Sequence, residues 1–166
     1  NYRNMLRDGS REMTSLRNSI WMSASTAGVA VLLVSAIAYF VHKTRLPGRH
    51  FLDFLAFAPI AVPSILIGIA LMWIYLLAPF NILNTLLIIG LGVLVKYMPF
   101  ALRFVSAAIL RIHSELEEAA QVSGASWQRN FFRIYLPLLR LGLVASFLWV
   151  MVNSYRDVPI PAILTR

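Results

Sequence analysis

The stretch Glu115–Pro137 reads ELEEAAQVSGASWQRNFFRIYLP, a long polar island in an otherwise apolar chain. Ser114 can cap a helix N-terminus, and Glu117, three residues on, completes a capping box. Glu115, Glu117 and Glu118 then lie in the first turn, where negative charge suits the helix dipole. Leu116, Ala119, Ala120 and Ser123 share one face at helical spacing. That face is small, which lets the helix approach a partner backbone closely. Gly124 ends this helix in the usual manner of a C-terminal glycine. Ser126 can cap a second short helix with Trp127, Phe131, Ile134 and Tyr135 on one side and Arg129 and Arg133 on another, a pattern suited to a membrane surface. Pro137 can open the next helix, where a missing N–H does no harm. On composition alone, two amphipathic helices in an ordinary cytoplasmic loop read the same way.

Around this island the chain has the composition of a membrane protein. Of its 166 residues 59% are hydrophobic and 13% charged, with a mean hydropathy of +0.72. A soluble domain this apolar would expose too much hydrocarbon. The net charge of +8 sits between the apolar runs rather than on one basic face, which fits positive flanks of membrane helices and not a nucleic-acid surface. No nucleic-acid partner is expected; the lipid bilayer is. With no cysteine, disulfides, thiol catalysis and thiolate metal sites are excluded.

Four spans are expected. Residues 20–41 carry no charge and are long enough to cross about 30 Å of hydrocarbon; Ser23, Ser25, Thr26, Ala27, Gly28 and Ala30 favour close helix packing. Residues 54–78 form the second span, with Pro59 and Pro63 each removing a backbone bond and making either a packing kink or a solute-facing break. Residues 85–112 form the third and 138–155 the fourth. The basic 42–53 loop and the 111–140 region are predicted on the cytoplasmic side and the uncharged 79–84 loop outside. Residues 1–15 are a polar extracytoplasmic lead-in, whose arginines fit this rule least well.

Lys96 and Arg103 interrupt the third span. A charge at the bilayer centre is expensive, about 2.5–3.5 kcal/mol even on insertion scales. The two residues are seven apart and share a face. Either they snorkel to an interface or they line a pathway, where cations would suit an anionic or anion-complexed solute. Arg156 and Asp157 read as interface charges, with a gate or solute contact as the sharper alternative.

No phosphate-binding loop of Walker type is present, so ATP hydrolysis by this chain is not expected. His42, His50 and His113 lack metal-ligand spacing, and no nucleophile elbow occurs. No catalytic residue, metal site or cofactor is expected. The spans contain no acidic residue, which counts against a proton- or sodium-coupled carrier; an ATP-independent channel and a non-transporting scaffold remain as alternatives.

Glu118-Ala119-Ala120, three residues, Gly124, nine residues, then Ile134-x-Leu136-Pro137 resembles the EAA loop of permease subunits of binding-protein-dependent ABC importers. Other pieces resemble the iron(III)-type branch of that family: Asn18-Ser19, Arg45-Leu46-Pro47-Gly48-Arg49, Ala61-Val62-Pro63-Ser64-Ile65, and Lys96-Tyr97-Met98-Pro99 followed by Arg103. Arg156-Asp157 departs from the Arg-Glu common there, and polyamine and 2-aminoethylphosphonate permeases share much of the pattern. The resemblance implies an all-α, type I (MetI-like) membrane fold over residues 16–166, incomplete by one helix at each end and therefore a piece of a longer permease. It implies a two-helix cytoplasmic coupling loop at 113–137, between the third and fourth spans. Glu118, Ala119, Ala120, Gly124, Ile134, Leu136 and Pro137 would dock on a dimer of ABC ATPase subunits. The implied partners are those ATPases, a periplasmic solute-binding protein and a second permease subunit or fused half. The implied setting is a bacterial inner membrane, and the implied solute ferric iron.

Overall fold

The computed structural model describes residues 9–44, 47–77, 85–112 and 131–164, together with positions 122, 126 and 129. All of its regular elements are helical: α1 (Gly9–Lys43), α2 (Arg49–Phe57), a 3-10 turn (Ala58–Ala61), α3 (Ser64–Leu77), α4 (Leu86–Leu110), a π turn (Phe131–Tyr135), α5 (Leu136–Arg156) and α6 (Pro159–Leu164).

Three helices, within α1, α4 and α5, are long and apolar enough to cross a membrane. They pack on one another as a bundle. α1 supplies a stripe of mostly small buried residues, Ser23, Ala27, Ala30, Val34 and Ala38, which recur every three or four positions and so face one way. Gly90 of α4 meets this stripe: a Cβ there would sit 3.2 Å from Thr26 Oγ1. The small residues expected to favour close packing do so at Ser23, Thr26, Ala27 and Ala30, whereas Gly28 faces open space. Hydroxyls within α1 bond one turn back, Ser23 to the Ser19 carbonyl at 2.7 Å and Ser35 to that of Val31 at 2.6 Å, so they reach no lipid unsatisfied.

α1 departs from expectation at its start. Helix begins at Gly9 and runs 35 residues without a break, so much of the lead-in is continuous with the span. Ser10–Ala27 contains neither proline nor glycine, and nothing there stops propagation. At the standard rise the helix is about 52 Å long, and its first turns extend beyond about 30 Å of hydrocarbon.

The second expected span is not one helix. Helix starts earlier, at Arg49, tightens into the 3-10 turn and breaks, and the axis turns by 110° before α3. Pro59 and Pro63 explain the break. Val62 precedes Pro63 and is extended, at φ −100° and ψ 122°, because the proline ring disfavours helical backbone in the residue before it. Only if this bent pair is counted as one crossing does the number of spans reach four. α3 then packs chiefly on α6. The third and fourth spans fall where expected. α4 continues through a buried Pro99, and Pro137 lies in the first turn of α5.

Candidate functional site

The polar centre of the structure is the corner between α5 and α6. Asp157 ends α5 in an extended conformation, φ −73° and ψ 115°; Pro159, two residues on, opens α6. The Asp157 side chain has no exposed surface. One carboxylate oxygen accepts from Lys96 Nζ at 2.6 Å and from the Tyr97 hydroxyl at 2.8 Å. The other accepts from the Ile160 N–H at 3.3 Å and so caps α6. A carboxylate away from water requires such partners, and here they come from two neighbouring residues of α4 and one of α6.

This arrangement corrects the reading of Arg156 and Asp157 as a pair of interface charges. Arg156 is exposed in the last turn of α5. Asp157 is buried opposite Lys96, about 15 Å along α4 from its first residue at the standard rise. Nor is Lys96 an unbalanced cation: its charge is neutralised locally, so it gives no net preference for anions. It retains 23% side-chain exposure.

Lys96 and Arg103 do not form a shared lining. Arg103 turns to α2, its guanidinium 4.2 Å from the centroid of the Phe57 ring, and with His50, Asp53 and Phe54 it borders a 370 Å³ cavity. Cation–π contacts at exposed sites are worth about 0.5–1 kcal/mol. Arg103→Ala and Phe57→Leu are each expected to lower stability by about that amount, and the double variant by little more; thermal unfolding of the purified full-length protein measures it.

Below Tyr97, Trp149 of α5 gathers an aromatic cluster. It stands edge-on to Tyr97 at 5.7 Å and tilted to Phe100 at 4.7 Å. Further along, Ser146 Oγ donates to the Ala101 carbonyl at 3.4 Å, and a Cβ on Gly142 would overlap Ala108 and stand 3.3 Å from the Phe104 carbonyl. Gly142 and Ser146, four apart, make a small-residue face of the kind that brings membrane helices together.

This end of the bundle adjoins the 113–137 stretch. Tyr135 is buried, edge-on to Tyr39 at 6.4 Å, with Lys43 Nζ 5.2 Å from its ring centroid. The exit of the stretch is thereby tied to the end of α1, placing the 42–53 loop and residues 131–137 at the same end of the bundle, as their shared basic charge predicts. Ser126 Oγ accepts from the Arg129 N–H at 3.4 Å, the contact expected of a cap. Leu136 and Pro137 are exposed in the first turn of α5, and Ile134 lies in the π turn. Glu118, Ala119, Ala120 and Gly124 lie outside the described residues. Among the described residues no group of three His, Asp or Glu could hold a metal ion.

Residues 33–166 match the family described as binding-protein-dependent transport system inner membrane component. The chain belongs to this family. Its similarity to named members is broad. It is 31% identical to the trehalose transport system permease protein SugB of Mycobacterium tuberculosis over 174 aligned positions, covering 99% of this chain and 59% of SugB. It is 32% identical to the sulfate transport system permease protein CysT of Salmonella typhimurium over 120, covering 66% and 43%. It is 29% identical to the spermidine/putrescine transport system permease protein PotB of Haemophilus influenzae over 154, covering 81% and 54%. The chain thus spans 43–59% of the length of these three permeases. Membership places its long apolar helices in a membrane.

Sequence reasoning missed Asp157 as the partner of Lys96, and it missed Gly142. A signal existed for the first: ionisable residues inside spans often pair with one another.

Proposed function

We propose that the chain is part of the permease subunit of a binding-protein-dependent ABC importer of a bacterial inner membrane. It forms part of the solute path and transmits the nucleotide cycle of separate ATPase subunits into the bundle. The observation that carries this reading is the family match over residues 33–166, which takes in the whole 113–137 stretch. The packing of Tyr135 on Tyr39 and Lys43 supports it, because force applied to that stretch reaches α1 as well as α4 and α5.

In this reading Glu118 pairs with a basic residue or helix end of the ATPase, Ala119 and Ala120 allow close docking, and Gly124 sets the turn between the two short helices. Ile134, Leu136 and Pro137 lead the motion into α5. A solute-binding protein delivers cargo, and a second permease half completes the path. The subunit itself hydrolyses nothing.

The test is uptake by the complete transporter in vesicles, with ATP hydrolysis measured in parallel. Replacing Ala120 or Gly124 with leucine, or Glu118 with tryptophan, is expected to abolish uptake and leave ATP hydrolysis unresponsive to the loaded binding protein. Full coupling in all three variants would remove the docking role.

For the solute, ferric iron rests on the sequence resemblance alone; a polyamine rests on that resemblance and on PotB, which weighs no more than SugB does for a sugar or CysT for sulfate. With Lys96 paired to Asp157, what remains of the argument for an anionic cargo rests on Arg103. Competition of labelled ferric iron and spermidine for the binding protein separates the two.

A further inference from the structure

We propose that α3 and α6 form one unit that moves against the α1–α4–α5 bundle, and that Asp157, gripped by Lys96 and Tyr97, is the latch holding it in place. The packing divides this way. α3 and α6 make their most extensive contacts with each other and touch the bundle along α4. A Cβ on Gly68 of α3 would stand 3.4 Å from Ile163 Cβ of α6, so the two helices are in close register. The unit meets the bundle closely at Gly92 of α4, where Ile160 and Leu71 rest in the space a side chain would take, each 2.9 Å from a notional Cβ.

Two chain connections between unit and bundle are described, and both suit a hinge. Each includes an extended residue, Val62 before α3 and Asp157 before α6. Each is followed by a proline that withholds a helical N–H, Pro63 and Pro159. A few element-terminal residues that absorb backbone rotation are what hinged motions need.

Asp157 bridges this joint. It takes two bonds from α4 and one from α6, so while it is held the α6 N-terminus cannot leave α4. Release requires another partner for the ions, because separating them in a dry interior leaves an uncompensated charge. The 23% exposure of Lys96 gives water or a solute group a way in, whereas Asp157 itself is sealed. The role of this motion in import rests on the permease reading above; the existence of the latch does not.

The chain has no cysteine, so paired cysteines read the joint directly. In the full-length protein in its membrane, Gly68→Cys with Ile163→Cys reports contact within the unit. Gly92→Cys with Ile160→Cys reports contact across the joint. Both pairs are within reach of a disulfide, whose Cβ atoms stand about 3.5–4.5 Å apart. With the latch intact, oxidation is expected to link both.

Lys96→Met is expected to slow linkage across the joint by about tenfold and leave linkage within the unit unchanged, and Lys96→Arg is expected to restore it. Asp157→Asn, which keeps the cap through its amide oxygen and can donate its NH2 to the Tyr97 hydroxyl, is expected to match Lys96→Met and stands in for it should that variant not accumulate. Unchanged linkage across the joint in these variants overturns the latch, and parallel loss at both pairs overturns the unit. ATP-dependent uptake by the complete transporter with the unsubstituted chain tests the permease reading separately: no uptake there, with the expected linkage pattern in the variants, removes that reading and leaves the latch.

Discussion

Replacing Asp157 with leucine is expected to destabilise the protein by about 3 kcal/mol, the lower end of the range for breaking a buried ion pair. Three groups lose their acceptor together: Lys96 Nζ, the Tyr97 hydroxyl and the Ile160 N–H. The partial exposure of Lys96 keeps the loss from the upper end, since water can reach the stranded ammonium. Lys96→Met alone is expected to be as harmful, because it strands a carboxylate with no exposed surface at all. The double variant, Lys96→Met with Asp157→Leu, is expected to regain most of the loss, since a well-packed apolar pair often equals a buried salt bridge. Thermal unfolding of the four full-length proteins in one detergent measures the cycle. A double variant no more stable than either single one would show that the pair contributes through something other than charge compensation.

The ease of reading this chain followed the range of the interactions involved. The bundle helices were legible because each is a long, mostly apolar run, and membrane span length is set by hydrocarbon thickness rather than by partners. Pro137 in the first turn of α5 and Ser126 as a cap are local rules and were met. The 110° turn between α2 and α3 was half legible. Two prolines four apart announce a break, but the direction taken after it is decided by α6, which lies ninety residues further on and packs on α3.

The Lys96–Asp157 pair spans sixty-one positions, and no periodicity connects them. Counting would have helped. Of the seven acidic residues, Asp8 and Glu12 are in the lead-in, Asp53 is in the basic loop, and Glu115, Glu117 and Glu118 are in the polar island. Asp157 is left as the one acid beside a span and away from the basic loops. The seven-residue spacing of Lys96 and Arg103 was a weaker guide, because long side chains on one face diverge to separate partners, Asp157 and Phe57.

Gly142 marks the other point of close contact, and leucine there is expected to be the more severe substitution for function. A Cβ at this position would overlap Ala108 and crowd the Phe104 carbonyl. The obstruction is thus backbone and a side chain with no torsion by which to move aside, and the helices must separate. Overpacking of this kind costs about 1–3 kcal/mol for small increments; Gly142→Ala is expected to fall in that range and Gly142→Leu beyond it. Ala108 and Gly142 stand five residues before and after the 113–137 stretch, and their contact holds α4 and α5 together on either side of it. Splaying α4 from α5 there should disturb any docking surface the stretch presents before it disturbs the Lys96–Asp157 corner at the far end of α5. Uptake by the complete transporter is therefore expected to fall at Gly142→Ala while thermal stability is only partly reduced. Adding Ala108→Gly should restore both, because it takes from the interface the methyl that Gly142→Ala adds, and contacting residues couple by about 0.5–3 kcal/mol in such cycles. Additive losses in the double variant would mean that the two helices are not held together at this contact.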